Sequence, residues 1–143
     1  AEVVIEGDYV FHGTTHAPIE PHCAVAQCSA DGLLTVWSST QITHYVQRAL
    51  AKVLEHPIQK IRVIQPALGG AFGGKSDPFS LEFCVAKLAM LTGRPVKMLY
   101  TREEVFYCHR GRHPMEMHYR TAATRAGKIT AVDAKILIDP AVA

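Results

Sequence analysis

One short segment, Gly69 to Ser76, constrains this chain more than any other. Its sequence is GGAFGGKS, with glycine at four of the first six positions. Because glycine has no Cβ, its backbone N–H groups approach a ligand without obstruction. Asp77 and Pro78 follow, and Asp as cap with Pro at the first helical position predicts that a helix begins there. The free N–H groups at a helix start favour an anion, so the segment predicts a site for an anionic or oxygen-rich group.

Two other interpretations of this segment remain open. The first is a nucleotide site, since the segment matches G-x-x-x-x-G-K-[ST] with Lys75 and Ser76 in the phosphate and Mg²⁺ positions. A helix that starts only at Asp77 and Pro78 disfavours it, because Lys75 and Ser76 then lie outside the helix. The second is a tight turn between a strand and a helix that binds no ligand and serves only folding or interaction.

The remaining patterns predict a single domain, residues 1–143, of the α+β (mixed α/β) class. Apolar and β-branched runs predict strands over residues 1–11, 23–28, 33–37, 61–64, 96–100, 115–123 and 129–138. Helical spacing predicts one helix ending before Pro57, with its cap among Ser38, Ser39 and Thr40. A second helix ends at Thr92 and is apolar on nearly all sides, which favours burial, and a short one covers residues 101–105. We therefore expect a mixed sheet covered by two main helices.

Composition excludes several classes of function. The net charge is +2, from 15 basic and 13 acidic residues, which is too small for a nucleic-acid-binding protein. No apolar stretch is long enough to predict a membrane span. The four cysteines form no CxxC pair and so predict neither a zinc nor an iron–sulfur site. Cys84 lies in an apolar run, which predicts a buried, reduced thiol and a cytoplasmic location.

The glycine segment resembles the GG-x-FGG-K loop of the xanthine oxidase and aldehyde oxidase-type molybdenum hydroxylases. Four more motifs of that family follow the expected order: HAPIEP (16–21), WSSTQ (37–41), TGRPVK (92–97) and RGRHP (110–114). A nucleotide-binding protein has no reason to carry them, so the molybdenum interpretation is favoured. The similarity is greatest to bacterial members such as 4-hydroxybenzoyl-CoA reductase. It identifies the chain as an N-terminal fragment of the molybdenum-binding domain of a large, molybdopterin-binding subunit.

The resemblance implies roles for five residues. Gln41, Gly70, Phe72 and Gly73 correspond to positions that contact the molybdopterin cofactor, with Gln41 and Phe72 nearest the metal. The glutamine is expected to donate a hydrogen bond to an oxo ligand of molybdenum. Ser76 corresponds to a substrate-binding position at which xanthine dehydrogenases carry a glutamate. Serine there disfavours a purine and suits another N-heteroaromatic, an aldehyde or an aromatic acyl-CoA thioester.

The resemblance also implies what lies elsewhere. The catalytic base, a glutamate, is expected beyond residue 143, so this chain is expected to contain no catalytic residue and to be inactive alone. Partners are expected to be the remainder of the large subunit and domains or subunits with [2Fe–2S] clusters and FAD. Pro140 interrupts the segment with which the family normally continues.

Other polar residues have simpler interpretations. Glu20 is expected to be structural. His12, His16 and His22 suggest a metal site, but histidines in loops more often bond to the backbone. Arg110 and Arg112 are expected to form ion pairs or to contact the cofactor phosphate.

Overall fold

The computed structural model describes residues 1–108 and 111–139. Its contacts divide the chain into a larger unit, His16–His109, and a smaller unit, Ala1–Thr15 with Arg110–Ala143. That residues 1–143 form one domain therefore stays a prediction. Arg110 and Pro140, for which the sequence suggested roles, lie outside the described residues. Within those residues, no helix is long and apolar enough to cross a membrane.

Seven strands and three α-helices confirm the mixed α+β class for the described residues. In chain order they are β1 (Val3–Phe11), β2 (Cys23–Cys28), β3 (Leu34–Ser38), α1 (Thr43–Leu54), β4 (Ile61–Ile64), α2 (Ser80–Thr92), β5 (Val96–Leu99), α3 (Arg102–Cys108), β6 (Met115–Ala123) and β7 (Ile129–Ile138), with one 3₁₀ turn at Ile58–Lys60.

The larger unit is built on a four-stranded sheet in the order β4-β3-β2-β5. Strands β2 and β3 form the predicted antiparallel hairpin, whereas β3 and β4 are parallel and are joined through α1, as a parallel connection requires. Both α1 and α2 pack on the sheet, and the buried core that they form with it includes Ala24, Ala26, Leu34, Val36, Val46, Leu50, Leu81, Val85, Ala86 and Ala89. The sheet with two covering helices is thus confirmed in this unit.

Helix α2 begins later than the sequence predicts. Its N-cap is Phe79 and its first residue is Ser80, so the predicted start at Asp77 and Pro78 is wrong. The reason is Glu82, whose buried carboxylate accepts the Phe79 backbone N–H at 2.9 Å. This bond satisfies a free donor of the first turn and fixes the helix start.

The predicted cap of α1 is also wrong. The N-cap is Ile42, and it makes no side-chain cap hydrogen bond. The hydroxyls expected to cap the helix have other partners: Ser38 donates to Glu82 at 2.8 Å, and Thr40 accepts the Ile42 N–H at 3.1 Å. Ser39 accepts a backbone N–H from the first residue of β2 at 3.0 Å.

The outer face of α2 is exposed within the described residues. Cys84, which the sequence predicted to be buried, is a free and exposed thiol, and Leu91 is 70% exposed. The burial prediction is therefore wrong for this face. The apolar character of the helix was identified correctly, but only one of its faces meets the sheet.

The smaller unit is an antiparallel sheet in the order β1-β6-β7. The predicted hairpin between β6 and β7 is confirmed, and its turn contains Gly127 with a φ of 83°. A backbone bridge between Thr14 and Arg112 extends the pairing of β1 with β6.

Candidate functional site

The glycine segment forms a turn that only a few residue types adopt easily. Gly70, Phe72 and Gly73 all have positive φ, at 101°, 55° and 88°. Glycine reaches this region without strain because it lacks a Cβ. The turn is closed by a 2.7 Å hydrogen bond from the Gly74 N–H to the Ala71 carbonyl.

The backbone conformation and the solvent exposure of Phe72 are both unfavourable. A non-glycine residue at positive φ costs roughly 1–2 kcal/mol, and Phe72 as a whole is 72% exposed within the described residues. Backbone strain of this kind concentrates at functional sites. The strained backbone and the exposed side chain of Phe72 therefore indicate a functional role rather than a role in the core of the unit.

The turn presents backbone donors. In the described part of the chain, the N–H groups of Phe72 and Gly73 meet no protein acceptor, whereas those of Gly69, Gly74 and Lys75 all do. Successive N–H groups in a turn with positive φ form a concavity that favours anions. The geometry thus supports the sequence prediction of a site for an oxygen-rich group.

Glu20 holds both ends of the turn. Its carboxylate lies 2.6 Å from the ammonium of Lys75 and accepts the Gly69 N–H at 3.0 Å. The Glu20 backbone N–H in turn donates to the Gly69 carbonyl at 3.1 Å. Burial opposes ionisation of Glu20, but the hydrogen bonds from Lys75 and Gly69 outweigh it, so the pKa of this carboxyl lies below its usual value. This is the structural role predicted for Glu20.

The same contacts count against a nucleotide site. The side chain of Lys75 is fully buried and its ammonium is paired with Glu20, so it is not presented to a phosphate. Helix α2 begins only at Ser80, which leaves Lys75 outside it. Nothing in the structure supports the alternative of a nucleotide-binding loop.

Gln41 joins the same turn from the end of the β2–β3 hairpin. Its backbone N–H donates to the Lys75 carbonyl at 2.9 Å. Its amide oxygen accepts the Lys75 N–H at 3.3 Å and the Ser76 hydroxyl at 3.1 Å. Among the described residues the structure gives the amide nitrogen no acceptor. All five residues singled out by the resemblance, Gln41, Gly70, Phe72, Gly73 and Ser76, therefore lie on or against one turn.

The structural roles of two residues of the site were not predicted from the sequence. Lys75 was considered only as a phosphate ligand, yet it forms the ion pair that anchors the turn. Arg102 donates to the carbonyls of Pro18 at 2.5 Å and Ile19 at 2.9 Å, and so holds the segment that carries Glu20. The signal for the first was the opposite charge of Glu20 and Lys75, which lie in two of the five family motifs.

One of the three histidines bonds to the backbone of the turn. The Nε2 of His22 lies 3.3 Å from the Gly74 carbonyl, which confirms a backbone role for this histidine. No group of three His, Cys, Asp or Glu side chains is placed to hold a metal ion within residues 1–108 and 111–139.

Comparison with known proteins gives a consistent result. A family model for the molybdopterin cofactor-binding domain matches residues 1–142. The chain is 41% identical over 138 residues to the nicotinate dehydrogenase large molybdopterin subunit of Eubacterium barkeri, covering 96% of this chain and 32% of that protein. It is 36% identical over 140 residues to the indole-3-acetaldehyde oxidase of Arabidopsis thaliana, covering 97% of this chain and 10% of that protein.

Solved structures agree with the sequence relatives. The aldehyde oxidoreductase from Desulfovibrio gigas superimposes with a TM-score of 0.80 at 32% identity, covering 96% of this chain and 15% of that one. The CO dehydrogenase from Oligotropha carboxidovorans gives a TM-score of 0.79 at 31% identity, covering 95% and 17%. The chain thus spans a third or less of the length of these relatives.

Proposed function

The chain belongs to the molybdopterin cofactor-binding domain family, and from this premise we propose that it supplies the amide donors around the molybdenum of an oxidoreductase. By the full-length protein we mean the polypeptide in which this chain occurs, together with its partners. The oxidoreductase activity of the full-length protein is itself proposed, because this chain covers only 32% of the length of the nicotinate dehydrogenase subunit.

One observation carries the proposal: the side chain of Gln41 and the backbone of Phe72 and Gly73 meet at one turn. Gln41 is hydrogen-bonded to Lys75 and Ser76, which continue the same loop. Three amide donors, the Gln41 NH₂ and the two backbone N–H groups, thereby remain without an acceptor in the described part of the chain. The arrangement is that of a site for oxygen atoms that carry negative charge.

The residues present fit a molybdopterin cofactor. Such a group presents oxo and phosphate oxygens, which accept hydrogen bonds from amides, and the turn offers donors of that kind. Gln41, Gly70, Phe72 and Gly73 are the residues that would surround such a cofactor.

When bound, the cofactor supplies the two-electron redox and oxygen-transfer chemistry of a hydroxylase. Gln41 donates a hydrogen bond from a neutral amide, which stabilises an oxygen as its charge changes and brings no titratable proton. Phe72 and Gly73 add backbone donors fixed by the turn. Because Glu20 and Lys75 hold the loop in place, these donors need little reorganisation during turnover.

The remaining parts of the proposal concern the full-length protein. We place the base glutamate beyond residue 143, [2Fe–2S] clusters and FAD on other domains or subunits, and the protein in the cytoplasm. Substrates are N-heteroaromatics, aldehydes or aromatic acyl-CoA thioesters, with Ser76 at the substrate side. N-heteroaromatics come first, because the relative with 41% identity is named for nicotinate.

Metal and pterin analysis of the purified full-length protein tests the proposal. We expect molybdenum and pterin in equal amounts, and we expect Gln41→Ala to retain both while its turnover falls on the order of 10²-fold, the usual loss for one oxyanion donor. Gln27→Ala, which removes an exposed amide from β2, is the control and keeps its turnover. Absence of molybdenum and pterin, or ATP binding that depends on Lys75, would contradict the proposal.

A further inference from the structure

The orientation of the Gln41 amide decides whether it donates or accepts. A primary amide presents an acceptor oxygen on one side and an NH₂ donor on the other, and a half-turn about its last bond exchanges them. An oxo ligand is stabilised only by the NH₂ side. A residue that fixes this orientation therefore acts on the molybdenum site without touching it.

The backbone of Lys75 sets the orientation. Its N–H lies 3.3 Å from the Gln41 amide oxygen, and a backbone N–H only donates. A reversed amide would direct the Gln41 NH₂ at another donor and leave the Lys75 N–H unsatisfied, which costs more than a hydrogen bond contributes. The observed orientation follows from this bond.

Ser76 adds a second bond to the same oxygen. Its hydroxyl lies 3.1 Å from the Gln41 amide oxygen, and with the Lys75 N–H it occupies both acceptor positions of that atom. The Gln41 backbone N–H also donates to the Lys75 carbonyl at 2.9 Å, which holds the two segments at a fixed separation. The amide oxygen and the backbone N–H of Gln41 are therefore both hydrogen-bonded to the loop. Its NH₂ group remains available to an acceptor that is not among the described residues.

We propose that Ser76 is a positioning residue whose hydroxyl, together with the Lys75 N–H, holds the Gln41 amide so that its NH₂ faces the molybdenum centre. This rests on the proposed function and deepens it, because Ser76 then influences turnover through Gln41 rather than through direct contact with substrate. Serine at this position thus matters for its hydrogen-bond donor as well as for its size.

The test compares Ser76→Ala and Ser76→Thr in the full-length holoenzyme with Ser80→Ala as matched control. The control removes a hydroxyl hydrogen bond of the same kind, 2.8 Å to the Tyr100 hydroxyl, four residues along the chain. We expect Ser76→Ala to keep its molybdenum and to lose about fivefold in kcat with little change in KM, the effect of one neutral hydrogen bond. In Ser76→Ala the Mo=O stretching frequency is expected to rise, because the hydrogen bond from Gln41 to the oxo group weakens. Ser76→Thr should restore both kcat and this frequency, and Ser80→Ala should change neither.

A double variant separates positioning from substrate contact. In a Gln41→Ala background, Ser76→Ala has no further effect on kcat if the serine acts through the amide, because coupled residues are not additive. An equal loss in both backgrounds, a rise in KM alone, or an unchanged Mo=O frequency overturns the positioning role and leaves the proposed function standing. Wild-type protein without molybdenum overturns both, and this is established before any variant is compared.

Discussion

The ammonium of Lys75 lies 2.6 Å from a carboxylate oxygen of Glu20, although the lysine side chain has no exposed surface. The same oxygen accepts the Gly69 N–H at 3.0 Å. One carboxylate thus connects the first and last parts of the glycine turn. Because a buried charge is costly without its partner, this pair ties the stability of the unit to the shape of the loop.

Replacing Lys75 with methionine is expected to lower the free energy of unfolding by about 3 kcal/mol, the low end for a broken buried pair, because Glu20 is 30% exposed. Urea unfolding of the chain, followed by its single tryptophan Trp37 on β3, measures the change. Lys87→Met removes an exposed lysine from α2 and should change stability by less than about 0.5 kcal/mol. Equal losses in the two variants would show that the pair contributes nothing.

The Glu20 carboxyl makes the turn sensitive to acid. Its pKa lies below the reference value of 4.5, since the bonds from Lys75 and Gly69 outweigh the opposing effect of burial. A depressed pKa contributes stability that is present above 4.5 and is lost as pH falls through the folded-state pKa. The stability difference between wild type and Glu20→Gln should therefore be largest above pH 4.5 and shrink at lower pH. Urea unfolding across that range measures it, and a difference independent of pH would contradict the assignment.

Much of the fold was predictable because it depends on local patterns. Alternating and β-branched runs identified every strand of residues 1–108 and 111–139, and the Ser29–Gly32 turn identified the β2–β3 hairpin. Helix starts were less predictable, since they depend on long-range contacts: Glu82 fixes the start of α2 and also binds Ser38. Periodicity shows that a face is apolar but not what covers it, which explains the wrong prediction for Cys84.

The site was predictable only in part. The glycine turn and its donors follow from the sequence of the loop itself. The approach of Gln41 came from the family resemblance, because no local pattern brings it to Lys75, 34 residues away. The pairing of Glu20 with Lys75 spans 55 residues and was missed because each residue had a sufficient local explanation.

Alanine substitutions at two glycines with positive φ distinguish the cost of backbone strain from the loss of a cofactor contact. Gly73 and Gly93 have φ of 88° and 63°, and an added Cβ would meet only His16 Nε2 at 3.8 Å in the first case and nothing within 4 Å in the second. Replacing either with alanine should cost about 1–2 kcal/mol of backbone strain. Only Gly73→Ala displaces a proposed cofactor donor, so only it should lower the molybdenum content or turnover of the full-length protein. Equal turnover in the two variants would argue against a role for the Gly73 N–H.

Glu82 should respond to pH in the opposite sense from Glu20. Its carboxylate is buried and accepts bonds from Ser38 at 2.8 Å and Phe79 at 2.9 Å, but burial outweighs them and raises the pKa above 4.5. A raised pKa gives a contribution to stability that is complete below 4.5 and is lost as pH rises through the folded-state pKa. The stability of wild type relative to Glu82→Gln, measured by urea unfolding, should therefore increase as pH falls from neutral towards 4.5. Comparing two proteins that differ at one residue cancels the titration of other groups, so a difference that stays constant with pH would show that Glu82 does not titrate in this range.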